Sequence, residues 1–249
     1  MEVLNSILAA QAASRKLLAL LIDPEKDYSP ILSVLSNRGA VKQSLADLSF
    51  LLIGGSTAAS ADACVHAVKA HTDLPVILFP GNIGQVTPAA DALFFLSLLS
   101  SESYDLTVGQ QLKAARQVAS SGIESIPMGY ILVDGGSESS VQRATHSNPI
   151  PQSDINQIVT LAVGAQLLGK QLVYLEAGSG ARTPISTEVI KAVRSTISIP
   201  LIIGGGICTP EQMIDAFTSG ADLVVIGNHF ESHPTDLPLF CSTLHQYFA

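Results

Sequence analysis

Apolar residues along this chain gather into short, nearly unbroken runs: Leu17–Ile22, Leu48–Ile53, Val76–Phe79, Ala92–Leu99, Ile126–Val133, Leu172–Leu175, Leu201–Ile203 and Leu223–Ile226. Between most of them lie mixed stretches with helical spacing. Runs that are continuous rather than alternating are expected of parallel strands covered on both faces. Helix starts are also written in the chain. Thr209 can cap and Pro210 can take the first helical position, while Ile185, Val189, Ala192 and Val193 predict a helix over Pro184 to Ser195. The pattern predicts an α/β fold of eight strands, a (β/α)8 TIM barrel, with an open doubly wound sheet as the alternative.

One interval breaks the repeat. Only Gly81 to Asp91, holding two glycines and a proline, separates the third and fourth strands. That is too short and too rich in breakers for a full helix, so the third helix is expected to be replaced by a loop. The barrel would then be open on one flank, beside Phe94–Leu99, where a long apolar ligand could lie.

Length and composition narrow the function. A chain of 249 residues with no recognisable linker suits a single barrel domain over 1–249. The 47% hydrophobic and 14% charged fractions describe a well-cored globular protein rather than a disordered one. Thirteen basic against 21 acidic residues leave a net charge of −8, which excludes a basic stripe for nucleic acid. Any anionic ligand must therefore be held locally. Three scattered cysteines, Cys64, Cys208 and Cys241, match neither a zinc site nor a redox pair. They fit a reducing cytoplasm, and the N-terminus carries no signal-peptide pattern. The expected protein is cytoplasmic, with transient contact to a membrane surface if its substrate is a lipid.

In a barrel of this kind the groups after each strand converge on one face. They are Asp23, Ser56, Asp134, Glu176, Gly178 to Gly180, Gly204 to Gly206, and Gly227 with Asn228. Three strand-to-glycine joints in succession give backbone amides room to approach an oxyanion, which suggests a phosphate site. Gly204-Gly-Gly206 lies just before a capped helix and is the stronger of these signals. Glu176 is either a general base beside that cradle or a structural ion-pair partner of Lys26 or Arg182. Tyr174 orients the same substrate or fills the core. Asp23 offers a hard oxygen ligand, or merely organises the turn at Pro24; Gly54-Gly-Ser56 is a second oxygen donor or a plain turn. The six histidines show no metal spacing, His66 and His71 are expected on an outer helix, and no nucleophilic triad or Walker loop can be assembled.

The segments Leu21-Ile-Asp-Pro-Glu-Lys26, Gly54-Gly-Ser56, Tyr174-Leu-Glu-Ala-Gly-Ser-Gly180, Gly204-Gly-Gly-Ile207 and Gly227-Asn228, in this order, resemble the geranylgeranylglyceryl phosphate synthases. The resemblance runs from about Leu17 to Asn228. It implies a homo-oligomeric barrel enzyme that joins sn-glycerol 1-phosphate to geranylgeranyl diphosphate with Mg²⁺, forming an ether bond and releasing diphosphate. It further implies Asp23 and Ser56 as Mg²⁺ ligands and Glu176 as the base. Glycerol phosphate would be held by Tyr174, Leu175, Glu176, Ala177, Gly178, Ser179 and Gly180, by Gly205 and Gly206, and by Gly227 and Asn228. Leu21 departs from the longer-chain bacterial members, which carry lysine there, and matches the larger archaeal-like subgroup. Donor length would depend on a bulky side chain in the apolar groove, for which Phe94, Phe95, Tyr104 and Tyr130 are the candidates. The alternatives are a synthase for another donor length, a phosphosugar isomerase or aldolase-like barrel, and a non-catalytic anion-binding assembly protein.

Overall fold

The computed structural model describes residues 2–36, 45, 47–57 and 59–248. Eight parallel strands close into a barrel in sequence order: β1 (Leu17–Ile22), β2 (Leu48–Ile53), β3 (Val76–Leu78), β4 (Ala92–Leu98), β5 (Glu124–Leu132), β6 (Leu172–Glu176), β7 (Leu201–Gly204) and β8 (Leu223–Ile226). Pairing of β1 with β8, from Leu17↔Leu223 to Leu20↔Ile226, completes the ring and rules out the open sheet. The unbroken apolar runs are explained by two cores. Alternate residues such as Ala19, Phe50, Met128 and Tyr174 fill the barrel interior. Their neighbours, such as Leu18, Leu51, Ile131 and Leu175, pack outward against the helices.

Some boundaries shift from the sequence reading. β5 starts two residues earlier, because Glu124 pairs with Ala92; Phe79, Leu99 and Val133 fall just beyond their strands, and β6 extends to Glu176. The helix expected from Pro184 runs instead over Thr187–Arg194, because the Ser186 hydroxyl accepts from Val189 N at 3.4 Å and sets the start there. Thr209 and Gln212 form the full capping box ahead of Pro210–Ser219. His66 is helical within Asp62–Lys69, whereas His71 lies just past the end of that helix.

The first helix, α1 (Glu2–Ala12), covers the bottom of the barrel. Val3, Leu4, Ile7 and Ala10 join the interior core, and Glu124 accepts from Val3 N at 2.9 Å and Leu4 N at 3.1 Å, satisfying amides that a helix start leaves unpaired. Between β3 and β4 there is only a single 3-10 turn, Ile83–Gln85, so the loop expected in place of the third helix is present. β3 is also short, pairing with β4 only at Ile77↔Ala92 and Leu78↔Leu93. Above Leu93, β4 therefore has an unpaired edge.

Candidate active site

A cavity of about 440 Å³ occupies the C-terminal mouth of the barrel and continues onto the open flank. It gathers most of the strand-end residues: Asp23, Ser56, Tyr174, Glu176, Gly178 to Gly180, Gly205, Gly206, Gly227 and Asn228 all line it.

Glu176 is its centre. The carboxyl group is 6% exposed, accepts from Gly178 N at 2.7 Å, and takes the Tyr174 hydroxyl as a second donor. Burial raises its pKa from 4.5 to about 7 against the opposing pull of those two donors. No cation pairs with it among the described residues. Lys26 instead meets Glu231 at 2.6 Å, so the ion-pair alternative with Lys26 or Arg182 is not what forms. Burial, followed by the nearby Glu176 charge, pushes the hydroxyls of Tyr174 and Tyr130 well above the usual tyrosine value, which keeps both protonated.

Two glycines make this arrangement sterically feasible. A Cβ on Gly204 would run into the Tyr174 hydroxyl. At Gly205, φ is +83° and a Cβ would stand 2.5 Å from Glu176 Oε1 and 2.7 Å from Gly178 N. Register brings them there, since β6 and β7 set Glu176 beside Gly204. Around them, the amides of Ser179, Gly180 and Gly206 donate no hydrogen bond to the protein among the described residues. Ser179 and Asn228 tie two of the glycine joints together through a 2.7 Å hydroxyl-to-amide bond. Uncommitted amides at a shared mouth are groups that can accept a phosphate without a cation.

At the ends of β1 and β2 the mouth holds Asp23 and Ser56. Asp23 Oδ1 accepts from Glu25 N at 3.0 Å, and its other oxygen has no protein partner among the described residues. Among the described residues, no cluster of three or more potential metal-binding side chains occurs there. A single hard carboxylate with one neighbouring hydroxyl suits an ion such as Mg²⁺ that draws most of its ligands from water and substrate phosphate.

Some expected residues do not reach the cavity. Leu175 and Ala177 belong to the outer core, because the two-residue period of β6 turns Tyr174 and Glu176 inward and these two outward. Asp134 is exposed and accepts from Gly136 N at 2.8 Å, organising its own loop. Tyr104 is 67% exposed at the start of a π turn (Asp105–Gly109) and does not line the cavity. The other three aromatic candidates do line it. Phe94 and Tyr130 face the interior, and Phe95 faces the flank.

Phe79 was missed by the sequence reading. Its ring stacks on Tyr174 at 5.2 Å and meets Phe94 at 5.9 Å and Tyr130 at 5.7 Å, forming the aromatic floor of the mouth. Its place at the end of an apolar run, before Pro80, was the available signal. Also missed was the flank wall supplied by Gln111, Ala114 and Val118 of the helix Gln110–Ser121. Because β4 has a free edge, the cavity touches both its inner residues Phe94, Leu96 and Leu98 and its outer residues Leu93 and Phe95.

Comparison with known proteins adds independent findings. The PcrB family matches residues 12–240. A geranylgeranylglyceryl phosphate synthase of Zunongwangia profunda is 44% identical over 237 residues, covering 93% of this chain and 97% of that protein. One from Thermococcus kodakarensis is 41% identical over 219 residues, covering 87% and 84%. The crystal structure of (S)-3-O-geranylgeranylglyceryl phosphate synthase from Thermoplasma acidophilum, in complex with sn-glycerol-1-phosphate, superposes with a TM-score of 0.88 at 35% identity over 99% of both chains.

Proposed function

The chain belongs to the PcrB family, and from that premise we propose that its barrel mouth is the active site of a geranylgeranylglyceryl phosphate synthase. The enzyme transfers the prenyl group of geranylgeranyl diphosphate to sn-glycerol 1-phosphate, giving an ether-lipid precursor and diphosphate. The observation that carries this reading is the buried Glu176, with a pKa of about 7, beside the uncommitted amides of the glycine joints. Relatives named for this activity, and a structural neighbour bound to sn-glycerol-1-phosphate, support it.

In this mechanism the glycine amides hold the acceptor's phosphate, with Ser179 and Asn228 fixing the two loops relative to each other. The acceptor hydroxyl then lies within reach of Glu176. Its oxygen forms the bond to the first carbon of the prenyl chain, its proton passes to the Glu176 carboxylate, and the carbon–oxygen bond to diphosphate breaks with the electron pair leaving on diphosphate. Tyr174, donating to Glu176, holds the carboxylate in place. Asp23 and Ser56 are the residues that would hold Mg²⁺, which when bound supplies positive charge to the departing diphosphate. The apolar chain lies along the flank of β4, against Phe95, Ala114 and Val118.

The same reading makes the enzyme cytoplasmic and self-associating, drawing its lipid donor from a membrane surface. No helix of the described residues is long and apolar enough to cross a membrane. Incubation with Mg²⁺, sn-glycerol 1-phosphate and geranylgeranyl diphosphate should yield geranylgeranylglyceryl phosphate by mass spectrometry, and a chelated control should yield none. Product in the chelated control overturns the Mg²⁺ assignment alone. Absence of product with every donor length, from folded protein, overturns the reaction.

A further inference from the structure

The charges lining the cavity run against the ligands it is to hold. Its carboxylates are those of Asp23, Asp105, Glu176 and Glu231, and among the described residues Lys26 is the only lysine or arginine that faces them. The reaction brings a phosphate and a diphosphate into this space together. Glycine amides can take the phosphate. At the ends of β1 and β2, Asp23 and Ser56 offer side-chain oxygens, which suit a metal ion but leave the diphosphate itself without a side-chain cation.

Lys26 closes the turn that Asp23 opens. Its backbone N donates to Asp23 O at 3.2 Å, and Asp23 Oδ1 accepts from Glu25 N at 3.0 Å, so a carboxylate and an ammonium stand on one tight turn after β1. The Thr57 hydroxyl, donating to Glu25 Oε2 at 2.5 Å, pins that turn to the chain after β2. The flexible lysine stem therefore has a fixed base. Its Nζ rests on Glu231 Oε2 at 2.6 Å, in the helix Asn228–Ser232 that follows β8. The two side chains are 44% and 23% exposed, and an ion pair so open to solvent is easily exchanged. A diphosphate, with more negative charge spread over more oxygens than a carboxylate, is the stronger partner.

We propose that Lys26 is a diphosphate-binding residue, whose ammonium leaves Glu231 for an oxygen of the prenyl diphosphate. This inference rests on the prenyl transfer described above. When the carbon–oxygen bond breaks and its electron pair passes to diphosphate, the ammonium stays with the anion and offsets the charge that builds there. Lysine suits this task, being a compact point charge on a flexible stem with rotatable N–H donors. Glu231 has the opposing role. It competes for the ammonium while the donor is bound and takes it back once diphosphate departs.

The two partners separate this role from a structural one. If the pair only ties two loops together, Lys26→Met and Glu231→Gln break the same contact and weaken binding alike. If they compete with the ligand, the two substitutions act in opposite directions. Calorimetric titration of inorganic diphosphate with Mg²⁺ present should show affinity falling by about tenfold in Lys26→Met. It should rise by about twofold to fivefold in Glu231→Gln. Affinity for sn-glycerol 1-phosphate should stay within about twofold of the wild type in both, and KM for geranylgeranyl diphosphate should follow the order seen with diphosphate. Both side chains are partly exposed, so neither substitution opens the core. A fall in Glu231→Gln, or no fall in Lys26→Met, overturns the proposal. So does a loss confined to sn-glycerol 1-phosphate, which would assign Lys26 to the acceptor. Unchanged affinity in Glu231→Gln beside a fall in Lys26→Met overturns the competition and supports the diphosphate contact. A wild type that makes no product from any donor overturns the reaction and this inference with it; that result is distinct because the other outcomes require an active wild type.

Discussion

At Glu176, one carboxyl group links the stability of the protein to its chemistry. Burial lifts its pKa from 4.5 to about 7, so the native state holds this proton more tightly than the unfolded chain does. The resulting stabilisation is complete below the ordinary value of 4.5 and is lost as pH rises to about 7. Its size is about 3 kcal/mol. Glu176→Gln should remove this loss of stability across the window, which denaturation midpoints against pH will read; a profile as steep as the wild type's would contradict the burial account. The same substitution should lower turnover by about a hundredfold to ten-thousandfold. Wild-type turnover should rise with pH through a value near 7, where Glu176 loses its proton. The carboxylate was readable from sequence, because it ends an apolar run and begins a glycine turn. Its partners were not: the contact with Tyr174 depends on Gly204 having no side chain one strand away, and only register reveals that.

At the scale of elements, the missing helix was legible from the short interval with its glycines and proline, and the structure bears this out with a single 3-10 turn. What replaces the helix as a wall was not legible. The helix Gln110–Ser121 carries only Gln111, Ala114 and Val118 as buried residues, a weak apolar stripe, and which part of a strand such a helix covers is decided by packing. Tyr104 misled for a related reason: its aromatic ring suggested a groove stop, but it precedes a π turn that leaves it in solvent. Ala114 is the sharper probe of this wall. It is 8% exposed and small, so Ala114→Phe should occupy groove space. Its kcat/KM for the longest donor should fall by at least about tenfold, roughly 1.4 kcal/mol in transition-state binding, with the shortest donor much less affected. Equal loss for all donors would place the groove elsewhere.

For the whole molecule, the eightfold order of strands followed from the recurrence of apolar runs, but closure did not, since the same runs could have built an open sheet. Closure depends on Leu17 to Leu20 meeting β8. α1 then covers one end of the barrel, leaving the opposite mouth and the β3–β4 flank as the sides where the cavity lies. Stability should be uneven around this ring. Among the described residues, hydrogen exchange should be fastest, outside the chain ends, in 79–91, where backbone pairing is sparse, and should slow when a prenyl diphosphate binds. Exchange there as slow as in β5 or β6 would contradict this distribution. The free edge of β4 also governs how a ligand arrives. A tunnel must be threaded end first, so every added isoprene unit lengthens the passage. A slot open along its side accepts a chain broadside, all units settling together, and the product can be lifted out the same way without breaking a single strand pair.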